Sequence, residues 1–135
     1  MPKNYIADSS ALVALLSRND QHHDWIAAEA GALPWPWLTC EAALTEAFHL
    51  LGEKGAPRMK DLLRRAAVVP SFTLGNHLAP VLGLMDKYAD VPMSLADACL
   101  VRMSEILPDP VVLTTDTDFK IYRRHSRQVV PCLLP

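Results

Sequence analysis

The chain has 135 residues, half of them apolar, and a formal net charge of −2. Length and apolar content suit one domain over residues 1–135 with a core of its own, and exclude a disordered tail. A near-neutral balance gives no global attraction to nucleic acid, so a nucleic-acid function would rest on local basic patches or bound metal ions.

The three cysteines, Cys40, Cys99 and Cys132, are odd in number and far apart, with no Cys-x-x-Cys pair or zinc spacing. They read as reduced, mostly buried thiols of a cytoplasmic protein. Asp8 interrupts the only early apolar stretch, which removes a signal-peptide plan, and no run has the length to cross a bilayer.

Tyr5-Ile6-Ala7 is an apolar run suited to a strand that stops on Asp8, and a helix follows from near Ala11 with Ser9 or Ser10 as its cap. Arg18-Asn19-Asp20 breaks that helix. Asp20 is placed to cap a second one, with Trp25, Ile26 and Ala30 inside, Gly31 as its stop, and His22 and His23 facing solvent. The prolines of Pro34-Trp35-Pro36-Trp37-Leu38 favour extended backbone, which predicts a strand ending near Thr39. Thr39 would cap a helix from Cys40 to about Glu53, with Leu44, Ala47, Phe48 and Leu51 as its apolar face and Glu46 beyond the edge of that face.

Gly52 and Gly55 should end this helix, and Pro57 suits the first turn of the next, which carries Arg58, Lys60, Arg64 and Arg65. Val68 to Phe72 reads as an edge strand because of Pro70. A helix from Leu78 to Ala89 should bury Leu78, Val81, Leu82 and Met85, and Ser94 opens a helix to Leu107 that is apolar over most of its circumference. Val111 to Thr114 is a buried strand ending in Thr115-Asp116-Thr117-Asp118-Phe119. The basic segment Lys120 to Arg127 leads to a last strand at Val129-Val130. Strands alternating with helices indicate a single α/β/α sandwich with a mainly parallel sheet of about 4–5 strands.

Four carboxylates stand out: Asp8, Glu46, Asp97 and Asp116. Asp8 and Asp116 both follow strands, and in a parallel sheet those ends share one edge, where α/β proteins keep their sites. Each acid also has a structural reading. Asp8 can end its strand and cap a helix. Ser94-x-x-Asp97 fits a capping box, Asp116-x-Asp118 an Asx-turn, and Glu46 an ordinary solvated helix residue, with Glu41 as its nearest substitute. Acids gathered within about 5 Å would repel by roughly 3 kcal/mol per pair at an effective dielectric near 20, so a cluster needs cations. Carboxylates with water and phosphate oxygens are the hard ligands that suit Mg²⁺ or Mn²⁺, and such ions support phosphodiester hydrolysis without a nucleophilic side chain. No Gly-x-Gly-x-x-Gly, P-loop, Gly-x-Ser-x-Gly or calcium loop competes with this reading.

Four ordered segments then carry a resemblance: Ile6 to Leu12, Leu44-Thr45-Glu46-Ala47, Ser94-Leu95-Ala96-Asp97-Ala98, and Leu113 to Phe119, with their acids separated by 38, 51 and 19 residues. The chain resembles the PIN-domain ribonucleases, in particular the VapC-type toxins of bacterial toxin-antitoxin pairs. The resemblance implies an Mg²⁺- or Mn²⁺-dependent endoribonuclease with Asp8, Glu46, Asp97 and Asp116 as metal-binding acids and Ser10 and Asp118 in support. It also implies an RNA substrate, a cognate antitoxin and a homodimer. Lys120, Arg123, Arg124 and Arg127, with Tyr122 available for stacking, are the candidate RNA-contacting surface, and a plain solvated face is the alternative. A non-catalytic binding module of the same fold and a metal-dependent phosphatase of small phosphoesters are the competing functions.

Overall fold

The computed structural model describes residues 2–135. Five short strands form one parallel sheet: β1 (Asn4–Ala7), β2 (Trp37–Thr39), β3 (Val68–Pro70), β4 (Pro110–Leu113) and β7 (Cys132–Leu133), in the order β3-β2-β1-β4-β7. Helices α1 (Ser9–Leu16), α2 (His23–Ala32), α3 (Glu41–Arg64), α4 (Leu78–Lys87) and α5 (Leu95–Ile106) cover it. Two residue pairs, β5 (Arg123–Arg124) and β6 (Gln128–Val129), make a separate antiparallel ribbon. The predicted α/β/α sandwich is therefore the fold.

Strand periodicity divides the core in two. Ile6 and Val112 point to the layer of α4 and α5, where they meet Val81, Leu100, Val101 and Met103. Tyr5, Ala7, Val111 and Leu113 point the other way, onto Leu12, Ile26, Leu44 and Met59 of α1, α2 and α3. Both faces are covered, which is why β1 and β4 read as apolar runs instead of alternating ones. β3 lies at an edge, as Pro70 requires.

Several boundaries differ from the sequence reading. Helix α1 begins at Ser9 and its cap is Asp8, whose side chain accepts the Ser9 N–H; neither serine caps it. Asp20 accepts from the His22 N–H, but α2 starts later, with no side-chain cap, and runs through Gly31 to Ala32. His23 is half-buried, its Nδ1 2.8 Å from the Ala14 carbonyl oxygen. Thr39 does not cap α3; its hydroxyl donates to the Ala7 carbonyl and ties β2 to β1. Gly52 interrupts α3 as a kink, at φ 64° and ψ −165°, a region almost confined to glycine, and the helix resumes at once. Gly55 stays helical, and a Cβ there would come within 2.8 Å of Leu51 Cβ. On α4 only Val81 is fully buried, and Leu78 and Leu82 are half-exposed. The last strand of the main sheet is Cys132–Leu133, and Val129 belongs to the ribbon. Among the described residues no helix is long and apolar enough to cross a membrane.

Candidate active site

Parallel pairing of β1 with β4 sets Ala7 opposite Leu113, so the next residues, Asp8 and Thr114, leave the sheet side by side. Thr114 donates to Asp8 Oδ2 at 2.7 Å and Ser10 donates to the same oxygen at 3.1 Å. The Ser9 N–H binds Oδ1 at 2.7 Å. Asp8 is 4% exposed. Burial is the largest influence on its carboxyl and raises it from 3.8 to about 6 against the lowering by Thr114, with the charge of Asp97 adding to the rise. The site thus holds a carboxylate that is costly to ionise without a counter-charge.

Asp97 occupies the first turn of α5, where the predicted capping box is present: Ser94 Oγ accepts the Asp97 N–H at 3.0 Å and Asp97 Oδ2 accepts back from the Ser94 N–H. The same Oδ2 accepts from Tyr122 Oη at 2.9 Å. Burial raises the Asp97 carboxyl, the Tyr122 hydrogen bond lowers it, and the nearby Asp116 charge raises it. Tyr122 is fully buried, edge-on to Phe119 and Tyr88, so it holds Asp97 and has no face free for stacking on a base. That corrects the sequence reading of Tyr122. A Tyr122→Phe protein is expected to lose roughly 2 kcal/mol at pH 7.5, the usual worth of a hydrogen bond to a charged group. The loss should shrink at pH 4 as Asp97 protonates, which urea unfolding at the two pH values would measure.

Asp116 caps the 3-10 turn Thr117–Lys120, its Oδ1 accepting the Asp118 N–H at 2.9 Å, so the Asx-turn is present. Its own N–H donates to Thr114 Oγ1, and the Thr115 N–H donates to Ser10 Oγ. Ser10 and Thr114 therefore lock β1, α1 and the loop after β4 into one network around Asp8. The cap and the site are not alternatives here. Asp97 and Asp116 each commit one oxygen to backbone or Tyr122, and among the described residues Asp97 Oδ1 and Asp116 Oδ2 make no hydrogen bond.

Glu46 is exposed on the second turn of α3 and makes no side-chain hydrogen bond. Asp8, Asp97 and Asp116 act on one another in pairs, whereas among the described residues no three His, Cys, Asp or Glu side chains lie close enough to share one ion. The donor chemistry nevertheless fits a hard divalent cation: the acids offer carboxylate oxygens, two of them without a hydrogen bond among the described residues, and burial disfavours the ionised forms of Asp8 and Asp97. Thr114 was overlooked in the sequence. Its signal is register, since a hydroxyl one place past β4 must stand beside an acid one place past β1. In the basic segment, Arg123 Nη1 binds the carbonyls of Lys120, Ile121 and Tyr122, and Arg124 Nη2 binds that of Ser104, whereas Lys120 and Arg127 are exposed.

A family model described as PIN domain matches residues 5–124. Among solved structures, the chain is similar to that of the Mycobacterium tuberculosis toxin VapC20, described as sarcin-ricin loop cleaving. The two are 19% identical with a TM-score of 0.73, and the match covers 87% of this chain and 94% of that one. At that identity the likeness is one of fold. No curated protein matches the chain.

Proposed function

The chain belongs to the PIN domain family, and on that premise we propose that it is a metal-dependent endoribonuclease that hydrolyses RNA phosphodiester bonds, the toxin of a toxin-antitoxin pair. The observation that carries this reading is the placement of Asp8, Asp97 and Asp116 at the C-terminal edge of the parallel sheet, Asp97 acting on Asp8 and Asp116 on Asp97, with no ion pair to any of them among the described residues. The fold likeness to a sarcin-ricin loop cleaving toxin supports the same class of substrate.

Asp8, Asp97 and Asp116, with Glu46 reaching from α3, would hold Mg²⁺ or Mn²⁺. Such an ion supplies an activated water and neutralises charge at the phosphodiester. Asp8 is the fixed wall of the site, aimed by Thr114, Ser10 and the Ser9 N–H. Tyr122 and Ser94 fix Asp97 so that Oδ2 is spoken for and Oδ1 is free. Asp118 braces the loop by binding Asp116 through its N–H. Glu46, solvated and unconstrained, is the acid able to adjust its rotamer to a substrate. Lys120 and Arg127 extend into solvent and contact RNA, while Arg123 and Arg124 contribute charge from positions they also stabilise. The protein acts in the cytoplasm as one domain and a homodimer, with a cognate antitoxin as its inhibitor; the exposed Leu78 and Leu82 on α4 are apolar surface available for such contacts.

The test is to incubate total RNA with the protein in Mg²⁺ or Mn²⁺ and map new 5′ ends by sequencing. A discrete set of ends, lost with chelator and with Asp97→Asn, is the expected result. Cleavage by Asp97→Asn at the wild-type rate would sink the assignment.

A further inference from the structure

The acidic charges of Asp8, Asp97 and Asp116 at a catalytic edge repel a polyanionic substrate, so affinity for RNA has to come from another surface. Among the C-terminal cations, Lys120 and Arg127 are exposed, whereas Arg123 and Arg124 are engaged with backbone carbonyls. The second half of α3 is the other concentration of positive charge. Between Glu53 and Arg65 it carries Lys54, Arg58, Lys60, Arg64 and Arg65 against only Glu53 and Asp61, in a chain whose net charge is −2. Of these, Arg65 is paired with Asp61.

Lys54 and Arg58 converge with Arg18, which follows α1, on a single pocket of about 350 Å³ that also meets Ser17, Asn19, Leu50 and Gly55. No acid lines it, all three cations are exposed, and among the described residues none of them forms an ion pair. The pocket's address matters as much as its charge. α1 starts at Ser9, next to Asp8, and is eight residues long, which places its far end about 12 Å from that acid. On α3, Glu46 and Leu50 are one turn apart on one stripe, and Leu50 lines the pocket. RNA laid along that stripe past Glu46 would reach the pocket.

We propose that Arg18, Lys54 and Arg58 form a phosphate-binding subsite that holds the RNA backbone a few nucleotides from the scissile bond. The inference rests on the endoribonuclease reading, and RNA is favoured over an acidic peptide because the pocket lies at the far end of α1, one helix length from Asp8. It acts on affinity and reach, not on the chemical step. A substrate long enough to span both places gains from it; one that fills only the acid edge does not.

The experiment compares the wild type with the triple variant Arg18→Gln/Lys54→Gln/Arg58→Gln, which changes only exposed side chains, and with Arg58→Gln alone. Binding of a fluorescent 12-nucleotide RNA is followed by anisotropy from 50 to 200 mM salt. Loss of three phosphate contacts should flatten the plot of log affinity against log salt by about 2, and of one contact by about 0.7. In cleavage, KM for the long RNA should rise about tenfold with kcat unchanged, while a trinucleotide substrate is cut equally by all three proteins. Failure of the wild type to cut any RNA would count against the nuclease reading, and the binding slopes would still decide the subsite. Slopes that do not change overturn it. Unchanged RNA slopes with weakened binding of poly-glutamate overturn it in favour of an acidic peptide.

Discussion

Asp8→Asn is expected to abolish cleavage and, at pH 7.5 without divalent ions, to make the protein more stable than the wild type. The first half follows from the site. Asp8 is the one acid held by three protein groups, and its charge is what a cation at the sheet edge would bind. Loss of several kcal/mol of transition-state stabilisation corresponds to a rate lower by roughly 10³-fold, measured as kcat/KM on a cleavable RNA. The second half follows from burial. Raising the carboxyl from 3.8 to about 6 means that keeping Asp8 ionised in the fold costs about 3 kcal/mol at neutral pH. Asparagine removes that cost and keeps the shape. The Ser9 N–H can still donate to the amide oxygen, and the partners of Oδ2 are the hydroxyls of Ser10 and Thr114, which can turn to accept from an amide. Allowing for imperfect reorientation, the gain should be about 2 kcal/mol by urea unfolding. A variant less stable than the wild type at pH 7.5 would show that Asp8 is a structural cap first.

The same double role explains what could be read from the sequence and what could not. Strand ends followed by acids were legible because Tyr5 to Ala7 and Val111 to Leu113 are apolar runs that stop abruptly, and parallel pairing then forces Asp8 and Asp116 to one edge. The capping box at Ser94 and the Asx-turn at Asp116 were legible as local patterns. The assignment of the α1 cap to a serine failed because capping and metal-site roles were treated as exclusive, whereas a carboxylate has oxygens enough to serve both. Tyr122 failed for a different reason: a tyrosine in a basic run looks like a stacking platform, and only tertiary packing under Phe119 and Tyr88 turns its hydroxyl inward to Asp97. Leu78 and Leu82 followed helical periodicity, yet α4 lies at the rim and buries a narrower stripe centred on Val81. Glu46 sits where helix position predicts, exposed on α3, and nothing local draws it to the other three acids. The convergence of Arg18 with Lys54 and Arg58 was invisible because it joins the end of one helix to the kink of another.

Removal of divalent cations should make stability depend on pH in the direction opposite to ordinary acid denaturation. For Asp8 the folded value, about 6, lies above the unfolded 3.8, so between these values the native state binds more protons than the unfolded chain. Stability from this group is fully present below pH 3.8, falls as pH rises towards 6, and is flat above, for a total of about 3 kcal/mol. Asp97, raised by its burial, acts in the same sense. Other carboxylates titrate in this range, so the clean measurement is the difference between wild type and Asp8→Asn in chelator. The variant's advantage should be near zero at pH 4 and complete by pH 7. Added Mn²⁺ should reverse the order at neutral pH. A cation that binds only the folded protein stabilises it by about 2.7 kcal/mol at a hundred times its dissociation constant, enough to offset most of the cost of the buried charge. Asp8→Asn should gain far less from the same addition. Because protons and cations compete for the same oxygens, the Mn²⁺ effect on the wild type should fade as pH drops through about 6. Thermal unfolding at pH 5 and pH 7.5, with and without Mn²⁺, reads all four conditions. Equal stabilisation of wild type and variant by Mn²⁺ would place the cation away from Asp8.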